Sequence, residues 1–326
     1  MILTTLLAAS ALQSAGPVVR IEDFVGEITV SEGASLSARL TRRGAGPEPG
    51  FSERADGLHV DGGQDTRRWQ CRSGLTGTTR LGPRGGERLA FSEYPHIEIT
   101  VPAGTTLMVG DSIFEGRAGN LGGLELSASS CGDFAAGHIS GDADIALAGS
   151  MDIQVGDVAG TAEVSVSGSG DVDLEDVNAL SIRLAGSGDI TADEVRTLDI
   201  SLAGSGDIEV DRVMNGSTVR IAGSGDVEIG QAGALTVSVN GSGDFEAGRA
   251  DGAFDLTSNG SGSIDIGGGT ASSFEARTSG SGDIVFDGHA SDPQVRLSGG
   301  GDIVVDSTSG DARINRTGGG RFVIRD

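Results

Sequence analysis

Carboxylates recur along this 326-residue chain at a spacing that invites a chemical reading. A Gly-Ser-Gly-Asp corner ends at Asp171, Asp189, Asp207, Asp226 and Asp244, and a further acid follows two residues later as Asp173, Glu209, Glu228 and Glu246. Three chemistries use such residues. Paired carboxylates cleave glycosidic bonds, clustered carboxylate oxygens bind calcium, and a serine between glycines resembles the strained nucleophile turn of hydrolases.

Each of these meets a competing structural explanation. A ladder of outward acids guarantees some pair at glycosidase spacing, so such a pair carries no information. The nucleophile turn needs a strand before it and a helix after it, whereas these corners lie between strands. The known calcium-binding repeat is nine residues long with a GGxGxD signature, about half the spacing here. Asp171, Asp173, Asp207, Glu209, Asp226, Glu228, Asp244 and Glu246 therefore stand as weak calcium candidates, and no residue takes a catalytic or cofactor-binding role. The four histidines, His59, His96, His138 and His289, share no repeat position.

The elements that position these acids follow from one period. The residues after successive corners are Asp133, Asp152, Asp171, Asp189, Asp207, Asp226, Asp244, Ser263, Asp283 and Asp302, spaced by 18 to 20 residues, with Arg321 a further 19 on. That length is too short for helical solenoid units and suits one rung of a β-solenoid. On each side of the corner the apolar residues alternate, Leu198, Ile200 and Leu202 before it and Ile208 and Val210 after it, as expected of strands with one buried face. A third short side carries Val177, Val195 and Val213. The expected fold is all-β: a right-handed parallel β-helix of about ten rungs, the hand following from parallel crossover connections.

In such a rod the corner explains itself. Its glycines permit positive φ and close stacking of backbones, its serines form a hydroxyl ladder between rungs, and its aspartates accept from nearby N–H groups. The acids two residues on, Asp265 among them, project outward beside the corner acids in paired columns. Like charges about 5 Å apart cost on the order of 1 kcal/mol per pair, so cations should collect there.

The start of the chain is less regular. Residues 1–15 have the apolar run and small residues of a signal peptide, without its usual basic start. Residues 16–37 supply the first strands of the β-helix. An Arg- and Gly-rich insertion or cap spans 38–95 and includes Trp69, and the repeat β-helix spans 96–326. VVRIEDFVGEITV reads as the first rung and HIEITVPAGTTLMVGD as the next. No later run of 18 apolar residues offers a membrane-spanning helix.

All 23 basic residues are arginine, and the net charge is -24. Residues 1–100 are about neutral, but 12 arginines face 35 acids in 101–326, a balance of -23 that repels nucleic acid and anionic lipid. Arg67, Arg68, Arg72, Arg80, Arg84 and Arg88 cluster in the insertion, where they are solvated, salt-bridged to the acidic body, or offered to an acidic partner. Cys71 and Cys131 are a disulfide candidate in an oxidising compartment, the alternative being two buried thiols.

IEDFVGEITV, IEITVPAGTTLMV and the serial SGSGDV, AGSGDI and NGSGDF corners together resemble the bacterial head GIN domain family of auto-transporter adhesins, over roughly residues 18–326. The resemblance implies an exported β-helix of the periplasm or cell surface, with no established enzymatic activity and an unknown protein or glycan of the cell envelope as partner. The competing function is a polysaccharide-active β-helix lyase or hydrolase. That activity would want aromatic platforms along a groove, and Phe245, Phe254, Phe274 and Phe286 read equally well as core.

Overall fold

Alternation turns nearly every segment into a strand with one buried face. In the computed structural model, which describes residues 16–73 and 79–325, Leu198, Ile200 and Leu202 point inward at no more than 4% exposure, as do Ile208 and Val210 after the corner. Each such side chain contributes about 1.5–3 kcal/mol by burial. Successive rungs pair in parallel: Leu198–Leu202 lies on Leu180–Leu184, and Ile208–Val210 on Ile190–Ala192. The third side closes through the buried Val177, Val195 and Val213. Stacking gives one continuous core along the rod. Phenylalanines thicken it at two levels, Phe114 against Phe134 with ring centroids 5.6 Å apart, and Phe254 against Phe286 at 5.2 Å.

The solenoid has about 12 turns rather than the expected ten. The additional turns lack the Gly-x-Gly corner from which the period is counted. They are built by β1 (Val18–Glu22), β2 (Val25–Glu32) and β5 (Gly57–Asp61), and by strands at 96–118, while β3 (Ser37–Arg42) and β4 (Gly50–Arg54) lie outside the stack. Their corners are tight: Asp23 at φ 53° and Asp111 at φ 47° turn the chain in the left-handed region.

The order of these rungs departs from the order of the chain. The insertion carries β6 (Trp69–Ser73), β7 (Thr79–Pro83) and β8 (Leu89–Ala90), and is followed by β9 (His96–Val101), β10 (Thr106–Gly110) and β11 (Ile113–Ala118). β1 pairs in parallel with β10 on one side and β5 on the other, while β2 lies between β11 and β9. The first rung is thus sandwiched: HIEITV sits outside it, and only TLMVG continues the stack. Beyond this outer rung, β3 runs antiparallel to β9 and β4 antiparallel to β5, which covers the strand edges at that end.

The rest of the insertion covers a flank. β6, β7 and β8 form a separate antiparallel sheet whose Trp69, Cys71, Leu81 and Leu89 pack with Val25, Phe91, Tyr94 and Ile113 in a second small core. Cys71 and Cys131 are joined as a disulfide, Cα to Cα 6.2 Å, fixing this sheet to the rod. Residues 1–15, read as a signal peptide, lie outside the described residues.

Candidate functional site

The corner glycines are required by contact rather than by torsion. None of those from Gly168 to Gly301 has φ in the left-handed range. A Cβ on Gly186 would stand 1.9 Å from the Gly168 carbonyl oxygen, and one on Gly206 2.0 Å from that of Gly188. Only glycine lets the rungs close to β spacing. The corner serines link rungs through the backbone, Ser187 N–H to Gly168 O at 2.9 Å and Ser205 N–H to Gly186 O at 2.9 Å. Their hydroxyls do not form the expected ladder; Ser281 to Ser261, at 3.5 Å, is the one such contact among the described residues.

The ladder is made by aspartate. The N–H of Asp189 donates to Asp171 Oδ1 at 2.9 Å, Asp207 to Asp189 at 2.9 Å, Asp226 to Asp207 at 2.8 Å and Asp244 to Asp226 at 2.7 Å. It starts where Asp171 N–H meets Asp152 Oδ1 at 3.1 Å. Each carboxylate therefore accepts the corner N–H of the next rung. Ser263 N–H continues this line by donating to Asp244 Oδ1 at 2.6 Å, but its side chain offers no carboxylate to Asp283. The ladder resumes with Asp302 on Asp283 and Arg321 on Asp302, both at 2.7 Å.

Register carries the column past the first recognisable corner. Asp152 lies over Asp133, Glu115 acts on Asp133 from the rung before, and Glu27 lies beside Glu115. Glu27 and Glu115 escaped the sequence reading because no Gly-x-Gly precedes them. Their signal was the shared spacing of four residues after the corner acids Asp23 and Asp111. An arginine closes each end: Arg42 Nη2 reaches Glu27 at 2.8 Å, and Arg321 Nη2 reaches Asp302 at 2.8 Å. Between those ends the column acids make no ion pair among the described residues.

The electrostatics follow. Burial, then Asp133 and Glu27, raise Glu115 above the usual carboxylate range. Burial, then Asp152, does the same to Asp133, and burial with Asp244, Glu246, Asp283 and Asp287 raises Asp265. Asp302 is held low by its hydrogen bonds from Arg321.

The calcium candidates fall in two neighbouring columns, Asp171, Asp207, Asp226 and Asp244 in the ladder and Asp173, Glu209, Glu228 and Glu246 beside it, all exposed. Together with Asp189 and Thr191, the acids from rungs 189 to 246 line a shallow groove of about 510 Å³. Among the described residues no three His, Cys, Asp or Glu side chains converge to hold a metal ion. Asp173 Oδ1 is engaged by the Thr191 hydroxyl at 2.8 Å.

The face before the corner is charged differently. There Arg183 pairs with Glu163 at 3.9 Å, Arg220 with Asp199 at 3.2 Å, Arg277 with Asp255 at 2.6 Å, and Arg296 with Glu275 at 3.6 Å. Charge is thus sorted by face: one side neutralises itself, and the carboxylate side does not.

Among the described residues no catalytic constellation forms around these acids. The four histidines meet separate partners: Glu22 for His59, Thr29 for His96, Asp157 for His138, and Ser307 for His289. Phe245, Phe254, Phe274 and Phe286 are buried, and Trp69 packs on Tyr94 with centroids 5.6 Å apart, so none forms a sugar platform in the groove. A hollow of about 840 Å³ lies at the capped end beside Leu36, Ala38 and Phe51, and no acid of the two columns lines it.

Among the described residues no helix is long and apolar enough to cross a membrane. No curated protein and no solved structure matches the chain. A family model described as "Putative auto-transporter adhesin, head GIN domain" matches residues 142–250 and again 246–326. An adhesin-like family and a β-solenoid fit a non-enzymatic adhesin-like module. The matched spans contain the regular Gly-Ser-Gly-Asp rungs and more than half of the sequence, and the chain accordingly belongs to this adhesin-like head GIN domain family.

Proposed function

We propose that this chain is an exported, non-enzymatic, adhesin-like rod of the periplasm or cell surface that presents its carboxylate face to a cationic protein or glycan of the cell envelope. The observation that carries this reading is the sorting of charge. Arginines neutralise the face before the corner, whereas Glu209, Glu228 and Glu246 stand beside the aspartate ladder and make no ion pair among the described residues. Such a surface draws oppositely charged partners by long-range attraction.

Calcium has a subordinate part in this reading. The ladder N–H groups occupy Oδ1 of the corner aspartates, so cations gather along the face as a screening layer. Titration with calcium and magnesium at matched ionic strength should raise the melting temperature alike. A calcium-selective heat in calorimetry would replace the screened face with a coordinated site.

The function is tested by binding to isolated cell envelopes. The triple variant Glu209→Gln, Glu228→Gln, Glu246→Gln removes charge beside the ladder without touching its hydrogen bonds. It should bind at least about tenfold more weakly than the unchanged protein at low salt. Equal binding by both proteins would refute the assignment of this face. Turnover of an envelope polysaccharide would refute the non-enzymatic reading.

A further inference from the structure

The arginine cluster of the insertion is a second uncompensated surface, opposite in sign to the first. Alternation in the three-stranded sheet sends Trp69, Cys71, Leu81 and Leu89 toward the rod, and therefore sends Arg72, Arg80 and Arg88 to the far side. Arg72 and Arg80 are directly opposite each other across β6 and β7, an arrangement that like charges disfavour. Arg84 extends the patch along the β7–β8 turn, and Glu87 is the one acid between residues 66 and 92. Arg72, Arg80, Arg84 and Arg88 make no ion pair among the described residues, so the acidic body of the same molecule does not neutralise them. Arg88, half-buried, is instead held through Nη2 by Gln70 Oε1 at 3.0 Å.

We propose that this arginine face docks onto the carboxylate face of a second copy of the chain. This inference rests on the reading of that face as a contact surface. Three features of the molecule support it. The two surfaces are complementary in charge, and neither finds an ion-pair partner of its own chain among the described residues. Both are β lattices with the same strand spacing of about 4.8 Å, so guanidiniums on neighbouring strands of the sheet meet carboxylates on neighbouring rungs. Arginine and carboxylate groups in that register form bidentate pairs. The disulfide between Cys71 and Cys131 holds the donor sheet rigidly on the rod, which limits the ordering cost of contact. Because the two surfaces differ, the contact is heterologous and propagates from copy to copy unless it closes into a ring.

Sedimentation velocity on the full, oxidised chain tests this. At about 0.05 M salt the mass should grow with protein concentration, and raising salt to about 0.5 M should weaken association at least about tenfold. Two charge swaps make the test specific: Arg72→Glu with Arg80→Glu and Arg84→Glu, and separately Glu209→Arg with Glu228→Arg and Glu246→Arg. Each alone should sediment as a monomer, and an equimolar mixture of the two should associate again, a recovery that also shows both to be folded. A salt-independent monomer for the unchanged protein would overturn the proposal, as would continued association of the arginine swap. Binding of the unchanged monomer to phosphatidylglycerol vesicles, lost in the arginine swap, would assign the patch to a membrane instead. The arginine swap should still bind cell envelopes through its intact acidic face; if it does while the unchanged protein stays monomeric, self-docking fails and the adhesin reading stands.

Discussion

Replacing Asp207 by Asn and by Ala separates the two roles of a ladder carboxylate. Asp207 Oδ1 accepts from Asp226 N–H at 2.8 Å, and its own N–H donates to Asp189 at 2.9 Å. Its charge stands one rung from each of those two acids, a repulsion of about 0.8 kcal/mol per neighbour at 5 Å in water, or about 1.7 kcal/mol together. Asp207→Asn removes the repulsion and keeps an acceptor, while the hydrogen bond loses about 1 kcal/mol of charge assistance. Its net effect is therefore between zero and about 1 kcal/mol of stabilisation. Asp207→Ala removes the same repulsion but strands the Asp226 N–H, so it should be about 1–2 kcal/mol less stable than the Asn variant. Solenoids unfold in parts, so the readout is local: hydrogen exchange at the Asp226 amide, about 5- to 30-fold faster in Ala than in Asn. Asp283 provides an internal control. Ser263 gives it no carboxylate, so its amide should exchange fast in the unchanged protein and slow in Ser263→Asp. Equal protection of Asp226 in the Asn and Ala variants would refute the ladder as a source of local stability.

Other perturbations test the neighbouring claims. Gly206→Ala places a Cβ 2.0 Å from the Gly188 carbonyl oxygen and should cost at least about 3 kcal/mol, whereas Gly300→Ala meets nothing within 4 Å and should melt like the unchanged protein. Removing the disulfide, which closes a separation of 60 residues, should cost about 4 kcal/mol by chain entropy. The loss should show as proteolysis at residues 62–93, while exchange in rungs 180–300 remains unchanged. Mild acid should stabilise the rod. Glu115, Asp133 and Asp265 hold protons more tightly folded than unfolded, so stability falls as pH rises from the usual carboxylate range through their raised values. Asp302, lowered by Arg321, and Glu98, lowered by Arg39, oppose this only as pH falls below the usual carboxylate range through their lowered values. A melting temperature that drops steadily from neutral to mildly acidic pH would contradict that balance.

The sequence by itself determined the rung. The 18- to 20-residue step and the alternation around each corner name the inward residues, Leu198 to Val210 among them, because side-chain direction in a strand is a local property. The same local logic places Asp207 and Glu209 outside and side by side. The reason for the glycines was only half legible: close stacking was expected, but the positive φ also expected of them is absent, and the carbonyl that forbids a Cβ at Gly206 belongs to another rung. Tertiary structure alone decided the rest. The sandwiching of β1 and β2 between β5–β9 and β10–β11 depends on which strand edges meet, and nothing in VVRIEDFVGEITV specifies the neighbour on each side. Glu27 and Glu115 join the aspartate column through that pairing, and the arginines become two populations through it as well. Arg183, Arg220 and Arg277 lie on the face where acids await them, whereas Arg72 and Arg80 are carried on a separate sheet and make no ion pair among the described residues. Composition records only the sum of these charges; the faces on which they lie are set by contacts between residues distant in the chain.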